Sequence, residues 1–484
     1  MSGLKTLFKQ TFIYGLATVL PRMLSFLLTP LYTTVMAVGV YGKVSIIFSW
    51  FAIFNVILAY GMETAFFRFF NKEEKKDSVV GTATLSIIFT SVLICVLAFL
   101  FKNQISQATD IEAHHISFVI SILLLDALVI IPFAWLRANS KPVKYAIIKI
   151  TNVAINIVLN LFFFLLLENL SKQGGFFESI YKINFEISYV LIANVIASGV
   201  TLVLMLPFYS KIKYVFSSKL WRQMLNYALP VLVAGLAYTI IETFNRILLD
   251  SSLSTSQNPA KEIGMFSACY KLALFMTLFA TAFRLGIEPY FFSHAKSNNP
   301  QKNYARILEY FVAFGSVILL FVVVFSDVLK VIIIRDENFW EAMSIVPIIL
   351  IASFCLGIYH NLSVWYKITD RTKFGAYISV VGAIVTLVLN IWLIPIISYK
   401  GSAIATLAAY GTMVLLSYYY GRKYYPIPYN LKKISLYLMT SILFSLISFY
   451  QFRGVYIVGI SMLIVFLGIV YFAEQKAIKQ LLKR

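Results

Sequence analysis

Charge is scarce in this chain, and acidic charge is scarcest. Of 484 residues, 21 are Asp or Glu and 41 are Lys or Arg, and charged residues make up only 13%. Cysteine is nearly absent: Cys95, Cys269 and Cys355 all fall within apolar runs, which excludes a disulfide framework or thiolate zinc spacing and reads as buried free thiols. The four histidines are scattered, with the adjacent pair His114-His115 at the edge of an apolar run, so no metal site is expected. No G-x-x-x-x-G-K-[ST] run occurs, which argues against nucleotide binding in a P-loop. No connection is long enough to fold alone; the longest outer one, about 168–186, contains Gly174-Gly175. A soluble catalytic domain is therefore not expected, nor a cofactor, and the chain reads as a non-enzyme. No small-residue cleavage site follows the first apolar run, so that run is expected to persist as a span.

What is abundant is apolar length. Sixty per cent of residues are hydrophobic and the mean hydropathy is +0.82, more than a soluble protein of this size could hide from water. A span needs about 20 apolar residues to cross roughly 30 Å of hydrocarbon. About 14 such runs follow one another, near 10–36, 44–67, 79–101, 115–136, 145–167, 187–209, 226–249, 264–292, 307–326, 342–366, 375–397, 402–420, 434–451 and 455–473. Period-2 alternation is absent, so these are expected to be helices, whose backbone polar groups pair internally. The expected fold is an all-α integral membrane protein.

The net charge of +20 resolves into topology once mapped. With a cytoplasmic N-terminus, segments on the inner side hold 27 Lys and Arg, from Lys5 and Lys9 through Arg68, Arg137, Lys211, Arg306, Lys367 and Arg422 to Arg484. The outer loops hold nine: Lys43, Lys102, Lys172, Lys182, Lys261, Lys330, Arg335, Lys400 and Arg453. This asymmetry is the positive-inside pattern, and a missed or false span would invert every later loop. The basic residues thus point to anionic phospholipids as partners rather than nucleic acid. Both termini are expected to be cytoplasmic.

The chain also repeats itself. Trp135-Leu-Arg137 leads to Val158-Leu159-Asn160, and Trp365-Tyr-Lys367 leads, at the same spacing, to Val388-Leu389-Asn390; Arg137 and Lys141 match Lys367 and Arg371. Tyr41-Gly42-Lys-Val-Ser45 similarly matches Ile263-Gly264-Met-Phe-Ser267. Six spans per half make the copies parallel, one of the standard transporter plans. The expected domains are 1–220 and 221–430, two six-helix lobes, and 431–484, two additional helices.

Ionisable groups inside spans are expensive in lipid, so they are the first functional candidates. Arg22 follows Pro21 in the first span, where the proline should bend the helix. Asp126 lies in the fourth span, Glu242 and Arg246 in the seventh, and Lys271, Arg284 and Glu288 in the eighth. Glu242–Arg246 and Arg284–Glu288 can pair along one helix face. Glu63 is close in sequence to Arg68, and Lys149 can snorkel to the inner headgroups. Arg22 and Lys271 have no carboxylate nearby in sequence and either reach Asp126 or face a watery cavity.

Several segments together resemble the polysaccharide-transporter branch of the multidrug/oligosaccharidyl-lipid/polysaccharide exporter superfamily. PLYTTVMAVGVYGKVSIIFSW resembles its opening, and GMETAFFRFFN the end of its second span. LPVLVAGLAYTIIETFNRILLDSSL followed by IGMFSACYKLALF resembles the start of its second lobe. LVLNIWLIPIISYKGSAIATLAAYG is similar to its N-x-x-L-I-P…G-x-x-G-A-A-x-A-T segment, with Ser402 where Ala is usual. The resemblance implies a MATE-like fold of two six-helix lobes plus two helices. It also implies a flippase that moves undecaprenyl-pyrophosphate-linked oligosaccharides outward for surface polysaccharide (O-antigen, capsule or exopolysaccharide), with a polysaccharide polymerase as a further partner. On this reading Arg22, Lys271, Arg246 and Arg284 give a cavity its positive field, and Asp126 and Glu242 are candidates for ion coupling. The alternatives are a lipid II flippase or a cation-coupled small-molecule exporter of the same fold, and a non-transporting scaffold. Lipid II flippases carry an Arg-Asp pair in the first helix, whereas Met23 follows Arg22 here. Residues 11–38 hold no acidic group of the kind some drug exporters use.

Overall fold

The computed structural model describes residues 23, 26–293, 299–369 and 371–482, and among them it contains helices and no strand. Thirteen of these helices are long and apolar enough to span a bilayer. They are α1 (Val38–Lys72), α2 (Lys76–Leu100), α3 (Ala113–Ala138), α4 (Pro142–Ser171), α5 (Glu186–Tyr209), α6 (Ser218–Ser252), α7 (Pro259–Ile287), α8 (Pro300–Val324), α9 (Glu337–Ile368), α10 (Lys373–Ile397), α11 (Tyr399–Tyr424), α12 (Leu431–Tyr450) and α13 (Tyr456–Gln475). They coincide with the second to fourteenth apolar runs. The first run lies largely outside the described residues, apart from a short helix, Thr29–Val35. The chain is an all-α, multi-pass membrane protein.

Large apolar side chains such as Phe89, Leu100, Ile457 and Phe472 stand exposed on the helices. Lipid tails are as apolar as these residues, so only close packing and polar contacts hold such helices together. The chain divides into two compact units, Met1–Gly264 and Met265–Arg484. In the first, the Val38–Ala59 part of α1 packs on α6 and α3, α3 packs on α2 and α5, and α4 packs on α5. Helix α6, which opens the second sequence lobe, is therefore part of the first compact unit. In the second unit α11 packs on α9 and α10, and α8 carries α12 and α13.

The helices break where the sequence permits it. Helix α1 is interrupted at Tyr60-Gly61, both with positive φ (30° and 73°). A Cβ at Gly61 would lie 2.4 Å from the Ala228 carbonyl oxygen, so only glycine allows α1 and α6 to approach there. Helix α4 contains a π-helical turn at Phe162–Leu166, and α7 a 3₁₀ turn at Lys271–Ala273. Such local irregularities are the usual places for a long helix to bend.

The repeat seen in sequence is also a repeat of hydrogen bonds. Asn139 N–H donates to the Trp135 carbonyl (3.0 Å) and Lys141 N–H to that of Leu136 (2.9 Å); Thr369 donates to Trp365 (3.2 Å) and Arg371 to Tyr366 (2.8 Å). The matched asparagines are both fully buried. Asn160 donates to the Asn156 carbonyl (2.8 Å) and accepts from the Tyr32 hydroxyl (2.7 Å). Asn390 donates to the Thr386 carbonyl (2.7 Å) and accepts from the Ser402 hydroxyl (2.8 Å). Each asparagine thus binds its own helix to a neighbouring one. Asn160→Ala and Asn390→Ala should each lower stability by about 1–2 kcal/mol. Equal melting of wild type and both variants in detergent would exclude this role.

The second matched motif brings the chain to backbone contact. A Cβ at Gly42 would lie 1.8 Å from the Ala260 carbonyl oxygen, and one at Gly264 would lie 2.1 Å from that of Val38. Each glycine faces the carbonyl of the residue four positions before the other, so the contact is reciprocal. It lies at the end carrying Lys43 and Lys261, the end expected from the charge asymmetry to face outward.

Candidate functional site

The sequence-nominated charges divide between the two compact units. Arg22, with Pro21, lies outside the described residues, as does the side chain of Glu288. In the first unit, Arg246 on α6 donates to the Glu242 backbone carbonyl (3.1 Å) and to the side-chain oxygen of Asn245 (3.2 Å). Asn245 is fully buried, and its amide nitrogen has no hydrogen-bond partner among the described residues. A buried donor left in that condition costs stability and is a natural contact for an oxygen-rich ligand. Sequence reasoning passed over Asn245 because an uncharged amide does not stand out in an apolar run.

Asp126 on α3 accepts from the Ser198 hydroxyl of α5 at 2.7 Å. Lys149 on α4 acts electrostatically on Asp126, and its ammonium lies 4.2 Å from the centre of the Phe133 ring. Its contacts are therefore within the helix bundle, where the sequence pointed to the inner headgroups. Glu63 likewise finds a partner other than its sequence neighbour: its carboxylate pairs with Arg137 of the Trp-Leu-Arg motif. Arg68 lies instead over the Tyr227 ring, 4.3 Å from its centre. The Arg137 guanidinium also faces the Phe67 and Tyr145 rings at 4.7 and 5.8 Å. This ties α1, α3 and α4 together through one cation.

In the second unit Lys271 occupies the 3₁₀ turn of α7, half-buried. Arg284, further along α7, lines a small crevice of about 10 Å³, room for about one water, with His360, Asn361, Ser363 and Lys367 of α9. Three basic side chains and a carboxamide thus share one small cavity, and the buried Nε of Arg284 has no hydrogen-bond partner among the described residues. The pocket joins a cation nominated for its depth, Arg284, to one nominated by the repeat, Lys367. A planar guanidinium with a spare donor beside an ammonium suits a phosphate oxygen.

A second polar group was not anticipated from sequence. Lys433 at the start of α12 lies 3.3 Å from Glu309 of α8 and also pairs with Glu474 of α13. Tyr437 donates to the same Glu474 (3.1 Å), and below it Ser441 donates to Ser316 (3.1 Å). In sequence each of these charges falls at the end of an apolar run, where it reads as interfacial.

The family described as polysaccharide biosynthesis protein matches residues 7–293. No curated protein matches the sequence. Among solved structures, the lipid II flippase MurJ in an inward closed conformation is similar over 96% of this chain and 99% of its own, with a TM-score of 0.70 at 15% identity. A multidrug resistance MATE family transporter of the MOP superfamily, inward-facing, is similar over 86% and 96%, with a TM-score of 0.62 at 12% identity. A MOP superfamily transporter from Pyrococcus furiosus, described by a reverse polarity of its binding pocket, is similar over 89% and 96%, with a TM-score of 0.55 at 11% identity. At these identities the likeness is one of fold.

Proposed function

The chain belongs to the polysaccharide biosynthesis protein family, and on that footing we propose that it flips undecaprenyl-pyrophosphate-linked oligosaccharides from the inner to the outer leaflet by alternating access. The substrate would be the repeat unit of a surface polysaccharide, delivered at the outer face to a polymerase. The membrane would be the bacterial cytoplasmic one, with both termini inside and the inner lysines against anionic phospholipids. The physical need is plain: a pyrophosphate cannot cross about 30 Å of hydrocarbon unless its charge is met on the way.

The observation that carries the reading is the pocket shared by Arg284, His360 and Lys367, with a spare guanidinium donor. Arg246 with its neighbour Asn245, Lys271 and Arg22 are the further cations and donors we assign to the headgroup. Asn and Tyr side chains would meet the sugars. Domains 1–220 and 221–430 would be the moving lobes, with 431–484 as an addition.

Arg22→Ala and Arg284→Ala should each abolish complementation of a flippase-null strain while membrane insertion stays at the wild-type level. Full complementation by either variant would remove that residue from the site. The cation-coupled exporter of the same fold draws on the Asp126–Ser198 pair. It requires that Asp126→Asn or Glu242→Gln abolish activity and that deletion bring drug sensitivity.

A further inference from the structure

The starts of α3 and α5 hold a constellation that the flippase reading does not use. His114 and His115 occupy the first turn of α3, and Ser188 the first turn of α5. Both imidazoles bring Nε2 to the same Ser188 hydroxyl, each at 3.1 Å. The two ring centres are 3.9 Å apart. Glu112, just before α3, places a carboxylate oxygen 3.2 Å from Nδ1 of His114. Phe185 lies parallel to the His114 ring with their centres 6.2 Å apart. Ser188 is fully buried and His115 nearly so, while His114 and Glu112 reach solvent.

Proton counting shows what this arrangement is ready for. With the His114 proton on Nδ1, the nitrogen that lies 3.2 Å from Glu112, a lone pair is left on His114 Nε2. The Ser188 hydroxyl has one proton and gives it to that lone pair. It can then only accept, so His115 must present Nε2–H. One lone pair and one exchangeable N–H therefore converge on a single point. A shift of the His115 proton to Nδ1 presents a second lone pair there.

We propose that Glu112, His114, His115 and Ser188 form a binding site for a divalent transition-metal ion, of which Zn²⁺ is the representative. Two neutral imidazoles converging on an oxygen select Zn²⁺, Ni²⁺ or Cu²⁺ over Mg²⁺ and Ca²⁺, which want oxygen ligands alone. A ligand atom from each of Glu112, His114 and His115 lies within 4.8 Å of the other two, close enough to surround one ion. Glu112 on Nδ1 is the carboxylate–histidine support that metal-binding imidazoles ordinarily have, and it can also turn to the ion. The start of α3 opposes a cation through its dipole. Glu112 offsets this, as do Asp110 and Asp250, which line the adjoining cavity of about 490 Å³ with Lys43 and His115. The site joins the outer ends of α3 and α5, so the ion is structural, a clamp between two spans. The motif is hard to see in sequence because the two histidines are adjacent rather than four apart, and the fourth ligand atom comes from residue 188.

The test uses the full-length chain in detergent, freed of any affinity tag and stripped with chelator, titrated with Zn²⁺ by calorimetry and by thermal unfolding. One saturable equivalent and a rise in Tm are expected, with no response to Mg²⁺. His114→Ala and His115→Ala should each remove both signals, and Glu112→Gln should weaken binding by about 10–100-fold. X-ray absorption of the Zn²⁺-loaded wild type needs no variant; it should show two imidazole nitrogens at about 2.0–2.1 Å. Absence of saturable binding, unchanged binding in the His114→Ala/His115→Ala double variant, or a coordination sphere without imidazole would each overturn the proposal.

Discussion

Oxidising a Gly39→Cys/Ala260→Cys double variant should reduce transport to background, and adding reductant should restore it. A Cβ at Gly39 would lie 3.8 Å from the Ala260 Cβ, within the range of about 3.5–4.5 Å that disulfides favour. One turn away, Gly42 and Gly264 bring helix backbones into direct contact at Ala260 and Val38. A contact made by backbone atoms cannot slide by changing rotamers; it is either closed or open. The proposed alternating access requires the outer ends to part, and at this crossing Gly42 and Gly264 each lie against a backbone carbonyl. A covalent link there should hold the protein closed to the outside. The single variants Gly39→Cys and Ala260→Cys control for oxidation of Cys95, Cys269 and Cys355, of which the first two are buried and the third half-buried. Transport that persists with the disulfide formed would mean that this crossing never opens, and the outer gate would have to be sought elsewhere.

Bulkier side chains bear on the same point: Gly42→Leu places a branched side chain where a Cβ alone would already overlap the Ala260 carbonyl oxygen. That variant would be held away from the outward-closed arrangement, the opposite bias to the disulfide. The two perturbations should therefore separate the states rather than merely inactivate the protein.

The fold was legible in the sequence because lipid imposes it. Apolar length and charge asymmetry follow from two constraints, that a backbone in hydrocarbon must pair internally and that cations gather on one side, while the Trp-to-Asn spacing follows from the internal repeat. Asn160 and Asn390 show how deep the legibility goes, since matched positions make matched bonds. Partner choice was less legible. Sequence proximity suggested Arg68 for Glu63, yet the ion pair crosses to Arg137, and Arg68 turns to Tyr227. Periodicity relates residues on one helix face, whereas these pairs depend on which helices become neighbours. The His114–Ser188–His115 group was missed for the same reason, as it becomes notable only when α5 brings Ser188 to the histidines. Arg22, the most conspicuous charge in the sequence, lies outside the described residues and rests on function for its test.

Lys433→Ala should be among the most damaging single substitutions outside the cavity, costing about 3–5 kcal/mol. Lys433 lies between Glu309 and Glu474, and the three side chains are 18%, 14% and 10% exposed. Removing the ammonium leaves two carboxylates close together in a poorly hydrated place, and it is that residue of uncompensated charge, more than the lost attraction, that destabilises. The three groups come from α8, α12 and α13, so the consequence is local: the last two helices should loosen from α8. Increased proteolysis in the 425–430 connection and a lower Tm in detergent would report it. A Lys433→Met/Glu309→Gln/Glu474→Gln triple variant should recover most of the loss, because no charge is left unpaired, and Tyr437 can still donate to the new amide at position 474. If Lys433→Ala melts with the wild type, the cluster is solvated and the attachment of α12 and α13 rests on packing and the Ser316–Ser441 bond alone. If the single variant is damaged but the triple variant is not rescued, the attraction of the ammonium for the two carboxylates, rather than the charge left uncompensated, holds the helices together.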